Sequence, residues 1–221
     1  MQLAHYIDHS YLKPDCNEEI IDRLIAETKE YGFKAICIPP MYLQYAKEQA
    51  GERSFLLCTV AGFPIGYDHV EAKLASLRRS ADIGADEVDM VINLSAVKTG
   101  HWDLTRSELK VIHETAVERN ITLKCIIEAQ LLTEDEIMRL CEISNELKLH
   151  YVKTSTGFFG DPVREDIVKL LRRHLDPGIR IKASGGINRY HEAVKMIRAG
   201  ADRLGCSQSV SIVKETIQDQ D

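Results

Sequence analysis

DEVDMVI, residues 86–92, is a short run of largely apolar and β-branched residues with the length and composition of one β-strand. Seven other runs share its length and apolar character: HYID (5–8), KAICI (34–38), FLLCTV (55–60), TLKCIIE (122–128), HYVKT (150–154), IRIKAS (179–184) and DRLGC (202–206). Longer segments with apolar residues at helical spacing separate these runs. The sequence therefore predicts eight consecutive strand–helix units.

The segments between these runs have the features of amphipathic helices. The spacing of apolar residues predicts helices over 17–30 and 134–147. Helix boundaries are marked by capping signals, namely a capping box at Thr133 and Glu136, a capping Asp161 before Pro162 at a predicted helix start, and glycines at Gly32, Gly84 and Gly200. These signals support the alternation of strands and helices along the chain.

Eight such units in a chain of 221 residues leave room for only short connections. This arrangement is typical of an α/β protein with a closed parallel sheet. We predict a single (β/α)8 TIM barrel that spans residues 1–221 as one domain. The alternative is a doubly wound open sheet, which normally has a glycine-rich fingerprint after its first strand. The corresponding segment here is DHSYLKPD, so the closed barrel is favoured.

Composition and charge restrict the partners of the protein. The formal net charge of −6 argues against binding to nucleic acid or to an anionic membrane surface. No run of about 18 apolar residues is present, and the first residues, MQLAHYIDHS, lack the features of a signal peptide. The six cysteines form no C-x-x-C pair, which favours buried free thiols. We predict a cytoplasmic protein without a cofactor or bound metal.

Three charged residues are predicted to lie where parallel barrels carry their chemistry, at or near the carboxyl ends of the strands. Lys153 ends one strand and Lys182 ends the next, while Asp89 lies within an earlier strand. A carboxylate inside a barrel is costly unless it is paired or takes part in a reaction. Asp89 is therefore a candidate acid/base group, or alternatively a structural partner of a buried lysine.

The two lysines have the properties expected of a covalent catalyst. If both side chains point into the mouth of the barrel, charge repulsion and loss of solvent lower the pKa of at least one amine. A neutral amine attacks a carbonyl group and forms an imine, and a nearby carboxylate moves protons directly or through water. Lys153, Lys182 and Asp89 are thus the candidate nucleophile, its perturbing neighbour and the acid/base group, acting on a small aldehyde or ketone.

Small residues follow the last three predicted strands. The segments are Thr154-Ser155-Thr156-Gly157, Ser184-Gly185-Gly186 and Gly205-Cys206-Ser207. Loops at these positions in barrels commonly bind phosphate through exposed backbone N–H groups. We therefore predict phosphate binding by these loops. Ordinary turns are the alternative, because Gly and Ser also favour turns.

Other polar residues have simpler interpretations. Asp8 and His9 lack a second histidine or carboxylate at metal-ligand spacing, so no metal site is predicted. Asp8 is interpreted as a substrate contact or a structural contact near the mouth. Glu128 and Lys124 share one strand face, and we expect them to pair inside the barrel.

Seven motifs resemble those of the deoxyribose-phosphate aldolase family, occur in the family's order and cover nearly the whole chain. They are IDHSYL (7–12), AICIPP (35–40), VAGFPIG (60–66), GADEVDMVIN (84–93), YVKTSTGF (151–158), IKASGGI (181–187) and GADRLG (200–205). The resemblance implies a class I aldolase on a (β/α)8 barrel. Such an enzyme joins acetaldehyde reversibly to glyceraldehyde 3-phosphate, giving 2-deoxyribose 5-phosphate without a metal.

The resemblance also implies roles for individual residues. Lys153 matches the Schiff-base lysine, Lys182 the second lysine that tunes it, and Asp89 the carboxylate that transfers protons with a water. The residues that match phosphate-binding segments are Gly157, Gly185, Gly186, Gly205 and Ser207. The implied partners are small aldehydes and sugar phosphates, and a homodimer is common in the family.

The departures from the family pattern lie at the predicted phosphate end. The family commonly has Arg where this chain has Asn188, with Arg189 one place later, and a small residue where this chain has Gln208. The tail KETIQDQD lacks the tyrosine that some members place near the active site. These differences leave open a related Schiff-base aldolase with an unphosphorylated or different aldehyde acceptor. A non-catalytic barrel that binds a sugar phosphate is a third alternative.

Overall fold

Eight parallel strands close into a barrel in the computed structural model, which describes residues 2–218. The strands follow one another around the barrel in sequence order. They are β1 (Ile7–Ser10), β2 (Ala35–Cys37), β3 (Leu56–Ala61), β4 (Glu87–Val91), β5 (Thr122–Ile126), β6 (Tyr151–Lys153), β7 (Arg180–Ser184) and β8 (Arg203–Cys206). The predicted (β/α)8 barrel is confirmed.

At least one α-helix follows every strand. The helices are α1 (Glu18–Tyr31), α2 (Leu43–Ala50), α3 (Val70–Ile83), α4 (Leu94–Lys98), α5 (Trp102–Glu118), α6 (Glu134–Leu147), α7 (Glu165–His174), α8 (Tyr190–Arg198) and α9 (Ser209–Gln218). None of the helices described over residues 2–218 combines the length and the apolar character that crossing a membrane requires.

The ring closes between β1 and β8, where Ile7 pairs with Leu204 and Asp8 with Gly205. This pairing places β1 two residues later than the run HYID indicates, because Leu3–Tyr6 form a 3₁₀ helix that leads into the strand. The other seven predicted runs overlap the observed strands. Ring closure therefore fixes the start of β1, which the sequence pattern placed too early.

The capping signals place the ends of two helices correctly. The Asn17 side chain accepts the Ile20 N–H at 2.9 Å before α1, and Gly32 ends that helix in the left-handed conformation with φ 72°. Thr133 and Glu136 form the predicted reciprocal capping box before α6. Both helices are thus fixed by local hydrogen bonds that the sequence encodes.

The helix start predicted at Asp161-Pro162 is wrong, since α7 begins only at Glu165. The Val163 N–H donates to the Gly185 carbonyl oxygen at 2.9 Å, which ties this segment to the loop after β7. The preceding residues therefore belong to the mouth of the barrel and not to a helix.

Apolar side chains fill the space between strands and helices, with Ile36 and Leu57 from the strands and Leu24 and Leu77 from the helices in one large cluster. The opposite faces of β2 and β3 carry only a small apolar group made of Ala35, Cys37, Cys58 and Val60. All six cysteines are free and buried. The inside of the barrel also contains a group of charged side chains from the other strands.

Candidate active site

Seven charged side chains meet inside the barrel, and we call them the lumen cluster: Asp8, Glu87, Asp89, Lys124, Lys153, Lys182 and Arg203. They come from β1 and from β4 to β8, and all are buried. Buried charges are tolerated only when they are paired and hydrogen-bonded. The cluster is therefore held together by its own ion pairs.

Asp89 is the centre of the lumen cluster. Its Oδ2 atom accepts hydrogen bonds from Lys153 Nζ and from Lys182 Nζ, each at 2.7 Å. Its Oδ1 atom accepts from Lys124 Nζ at 3.0 Å. One carboxylate thus connects three amines, and the three residues singled out from the sequence, Asp89, Lys153 and Lys182, lie in direct contact.

Asp8 and Glu87 form the other side of the cluster. Asp8 Oδ2 lies 2.5 Å from Lys182 Nζ, and Asp8 Oδ1 accepts from Arg203 Nε at 2.8 Å. Glu87 accepts from Arg203 at 3.0 Å and from Lys124 at 2.6 Å. Asp8 therefore has no ion pair with Lys153 and is connected to it through Lys182 and Asp89. It does not line the cavity described below, a placement that fits its structural interpretation.

The surrounding cations control ionisation in the cluster. Burial alone raises the pKa of a carboxyl group, but Lys182, Arg203 and Lys124 outweigh it and hold the pKa of Asp8 below its ordinary range. The pKa of Asp89 is likewise held well below its ordinary range, chiefly by the adjacent lysines. Both groups are therefore carboxylates at neutral pH.

The expected lowering of a lysine pKa is wrong for Lys182. Burial disfavours its ammonium form, but the carboxylates of Asp8 and Asp89 outweigh burial and raise its pKa above the ordinary value. The pKa of Lys124 is also raised well above its ordinary value, because carboxylates again outweigh burial. Both amines are thus ammonium groups at neutral pH.

Two cysteines lie beside Asp89. Cys58 Sγ is 3.1 Å from Asp89 Oδ1, and Cys37 Sγ is 4.0 Å from Asp89 Oδ2. These three groups are close enough to surround a metal ion. Both oxygens of Asp89 already accept hydrogen bonds from ammonium groups, however, with Lys124 on Oδ1 and Lys182 on Oδ2. The chemistry of this donor set therefore fits the lysines better than a metal.

Lys153 is the one member of the lumen cluster that lines a cavity at the mouth of the barrel, among the described residues. The cavity has a volume of about 160 Å³. Its walls include all five residues predicted to bind phosphate: Gly157, Gly185, Gly186, Gly205 and Ser207. The candidate nucleophile and the predicted phosphate loops therefore share one enclosed space.

Two glycines allow the cavity walls to approach closely. Gly186 has φ 71°, and a Cβ atom there would lie 2.5 Å from Pro162 Cβ. A Cβ atom on Gly205 would lie 2.8 Å from Ser184 Cβ and 3.1 Å from Lys182 Cε. A larger residue at Gly186 would push the loop after β7 away from the segment between β6 and α7, and one at Gly205 would push β8 away from the end of β7.

The loops after β6 and β7 are joined by hydrogen bonds. Ser184 Oγ donates to the Ser155 carbonyl oxygen at 2.5 Å, and Ser184 N–H donates to Thr154 Oγ1 at 3.0 Å. Within the described residues, the N–H groups of Gly157, Gly185 and Gly186 have no protein acceptor. The cavity wall thus offers unpaired donors on segments that are joined by hydrogen bonds.

The residues that depart from the family pattern have different positions. Asn188 lines the cavity of Lys153, where its side-chain Nδ2 donates to the Gly186 carbonyl oxygen at 3.2 Å. Gln208 lines a neighbouring cavity of about 250 Å³. Arg189 points elsewhere, because its Nη1 atom lies 2.8 Å from Glu215 Oε1 on α9. The tail beyond Gln218 lies outside the described residues.

Glu128 is a site feature that sequence reasoning placed wrongly. It does not pair with Lys124, whose partners are Glu87 and Asp89. Glu128 follows β5 in a left-handed conformation with φ 48°, and its Oε2 atom accepts from Thr156 N–H at 2.9 Å and Thr156 Oγ1 at 2.6 Å. Its position after the strand end was the one signal that could have indicated this contact with a neighbouring loop.

The protein is a closed parallel barrel, and at its mouth an amine is hydrogen-bonded to a buried carboxylate. This arrangement is typical of enzymes that act on carbonyl substrates through an imine. Residues 3–210 match the model of the DeoC/LacD family aldolase. The chain belongs to this family of aldolases, which are aldehyde-lyases and work through a lysine Schiff base.

Individual relatives agree with this assignment. The chain is 39% identical over 221 residues to a deoxyribose-phosphate aldolase of Streptococcus suis, with 100% of both chains covered. It is 40% identical to the deoxyribose-phosphate aldolase of Staphylococcus carnosus, again with 100% of both covered. The structure of a tetrameric deoxyribose phosphate aldolase from Aeropyrum pernix superimposes with a TM-score of 0.89 at 31% identity, covering 99% of this chain and 92% of the other.

Proposed function

We propose that this protein cleaves 2-deoxyribose 5-phosphate reversibly into acetaldehyde and glyceraldehyde 3-phosphate, through a Schiff base on Lys153. The observation that carries the proposal is the position of Lys153: it lines the cavity while its Nζ atom lies 2.7 Å from Asp89 Oδ2. The names of the most similar relatives support the choice of substrate.

The lumen cluster contains more cationic side chains than carboxylates. The cluster has four cationic side chains and three carboxylates, so one positive charge is in excess when all are ionised. Excess charge in a buried site is unfavourable. Lys153 is the member of the cluster that lines the cavity, so it is the amine that a carbonyl substrate reaches.

The reaction follows from these positions. The neutral Lys153 amine attacks C1 of the open-chain sugar phosphate to give a carbinolamine. The hydroxyl group on C1 takes up a proton and leaves as water, which gives an iminium ion. The C3 hydroxyl then loses its proton, the C2–C3 bond breaks, and the electron pair passes into the iminium to give an enamine. Glyceraldehyde 3-phosphate leaves. Protonation of the enamine at C2 and hydrolysis of the imine release acetaldehyde and restore Lys153.

Asp89 and Lys182 are assigned to proton transfer in this scheme. Asp89 Oδ2 accepts hydrogen bonds from both Lys153 and Lys182, which supports a proton acceptor and a proton donor that act near the imine directly or through one water. The phosphate is assigned to the loop residues Gly157, Gly185, Gly186, Gly205 and Ser207. Unpaired backbone N–H groups at three of these glycines support the assignment.

A second candidate keeps the Schiff base but uses an unphosphorylated or different aldehyde as acceptor. Its support is the absence of an arginine from the cavity wall among the described residues, since Asn188 lines the wall and Arg189 pairs with Glu215. The ratio of kcat/KM for 2-deoxyribose 5-phosphate to kcat/KM for 2-deoxyribose decides between the two. A preference for the phosphate above about a hundredfold excludes the second candidate.

Borohydride trapping tests the proposal directly. The protein is incubated with 2-deoxyribose 5-phosphate and sodium borohydride, and the adduct is mapped by peptide mass spectrometry. We expect a reduced adduct on Lys153.

Lys153→Met should leave less than about a thousandth of the activity, whereas Lys110→Met on the exposed face of α5 serves as the control. An adduct on a different lysine, or a largely active Lys153→Met, contradicts the assignment.

We also propose a cytoplasmic location and a homodimer. Six buried free thiols support a reducing compartment. Two-fold symmetry is the commonest arrangement among soluble oligomers. Light scattering after size exclusion should therefore give twice the chain mass of 25.0 kDa, and a fourfold mass would contradict the dimer.

A further inference from the structure

We propose that Lys13, in the loop between β1 and α1, is the side chain that binds the anionic end of the substrate and thereby determines the preference for a phosphorylated sugar. This inference rests on the proposed function, because it concerns the same cavity. It assigns to Lys13 a role that the predicted glycine loops and Asn188 do not supply.

The charges along the cavity wall are the first argument. Among the described residues that line it, only Lys153 and Lys13 have ionisable amine side chains, and no carboxylate lines it. Lys153 is buried at the end of β6, whereas Lys13 is exposed in its loop. The cavity therefore has one amine on its floor and another at its rim. This suits a molecule with a carbonyl group at one end and an anionic group at the other.

The second argument is that the Lys13 side chain is available to bind an anion. Its Nζ atom has no hydrogen bond or ion pair with any described residue, and its recorded contact is with the Tyr11 ring, 6.0 Å from the centroid. Most surface lysines are merely solvated. Lys13 differs because it lines a cavity whose wall also presents unpaired N–H groups at Gly157, Gly185 and Gly186.

The position of Lys13 relative to Ser207 is the third argument. These two residues line both the cavity of Lys153 and the neighbouring cavity that contains Gln208. Lys13 therefore lies beside the loop that leads into α9, where an anion is favoured by the start of a helix. Arg189 cannot take this role in the observed arrangement, because Glu215 holds it away from the cavity.

Four proteins test the inference: the wild type, Lys13→Gln, Lys13→Arg and Arg23→Gln. Arg23 lines only the neighbouring cavity, so its variant removes an equal charge nearby without altering the proposed contact. For Lys13→Gln we expect kcat/KM for 2-deoxyribose 5-phosphate to fall about tenfold or more, through KM, because a hydrogen bond to a charged group is lost. The value for 2-deoxyribose should not change. Lys13→Arg should restore most of the loss, and Arg23→Gln should behave as wild type.

A binding experiment keeps this test separate from the test of the proposed function. Inorganic phosphate is titrated into the unliganded proteins by calorimetry, and its Kd should rise about tenfold in Lys13→Gln. If the wild type fails to cleave the sugar phosphate, the proposed function is wrong, yet the phosphate titration still decides the role of Lys13. A change in Kd below about threefold, or an equal loss of kcat/KM for both sugars, overturns the inference.

Discussion

Lys182 places its Nζ atom 2.7 Å from Asp89 Oδ2, the oxygen that also accepts a hydrogen bond from Lys153. The second lysine therefore competes with the proposed nucleophile for one acceptor. Because the carboxylates of Asp8 and Asp89 outweigh burial and raise the pKa of Lys182, its charge persists at neutral pH. A permanent cation at this point opposes a second positive charge on Lys153.

Replacement of Lys182 by Met should therefore slow the reaction and change its pH dependence. Asp89 Oδ2 would then accept a hydrogen bond from Lys153 alone, so the ammonium form of Lys153 would be favoured. We expect kcat to fall at least about a hundredfold and the acidic limb of the kcat/KM profile to move to higher pH. The profile is measured between pH 5 and 10 for both proteins. An unchanged limb with reduced activity would indicate a purely structural role of Lys182.

Asp8 should contribute to stability above about pH 4 and lose this contribution in acid. Its folded pKa is depressed by Lys182, Arg203 and Lys124 despite burial, so the unfolded chain binds a proton more readily than the folded protein. The contribution is therefore fully present above the unfolded value of about 4 and declines as pH falls further towards the folded value.

Asp8→Asn provides the measurement. At pH 7 we expect a loss of about 3–5 kcal/mol, because Arg203 and Lys182 lose a buried partner. The difference in Tm from wild type should decrease as the pH falls from 5 to 3. Asp68→Asn, at an exposed position, should leave Tm nearly unchanged at every pH. A difference between wild type and Asp8→Asn that is independent of pH would show that packing, and not charge, is responsible.

Much of this architecture could be predicted from the sequence. Strands buried on both faces, such as β3 and β7, give short apolar runs that are easily recognised. Because parallel strands in a barrel end at one face, placing Lys153 and Lys182 at strand ends was enough to predict that they lie close together. Lys153 does end β6, whereas the predicted strand end at Lys182 is wrong, since β7 continues to Ser184; the two lysines meet at Asp89 Oδ2. Both predictions depend only on periodicity and chain order, which a single sequence contains.

The partners inside the barrel could not be predicted in the same way. Arg203 pairs with Asp8 across 195 residues because β8 closes the ring against β1. Lys124 and Glu128 belong to the same predicted run, yet β5 ends at Ile126 and the left-handed turn at Glu128 directs its carboxylate to Thr156. Alternation of faces applies only within a strand, and it no longer holds where the strand ends.

Glu128 should be important for the loop that carries Thr156 and Gly157. Its carboxylate is fully buried and accepts two hydrogen bonds from Thr156, so Glu128→Ala leaves two buried donors without a partner. We expect a loss of about 1–3 kcal/mol and a higher KM, since Thr156 and Gly157 line the cavity. Glu128→Gln keeps an acceptor oxygen and should lose less.

Thermal unfolding and steady-state kinetics test this role of Glu128. Glu52→Ala removes a carboxylate from an exposed loop and is the matched control. Equal Tm values for Glu128→Ala and Glu52→Ala would show that the contact with Thr156 contributes nothing to stability.

Gly186 and Gly178 differ in the space around them, so an alanine at each position tests the geometry of the cavity wall. Gly186 has φ 71° and a Cβ atom there would lie 2.5 Å from Pro162 Cβ, whereas a Cβ atom on Gly178 has no neighbour within 4 Å. Gly186→Ala should therefore destabilise the protein by more than about 1 kcal/mol, and Gly178→Ala should be neutral or slightly stabilising. Displacement of the loop after β7 should also raise KM for 2-deoxyribose 5-phosphate more than KM for 2-deoxyribose, because the carbonyl end near Lys153 is less affected. Chemical denaturation and kinetics on both sugars measure these effects, and a parallel rise in both KM values would place Gly186 outside the part of the wall that holds phosphate.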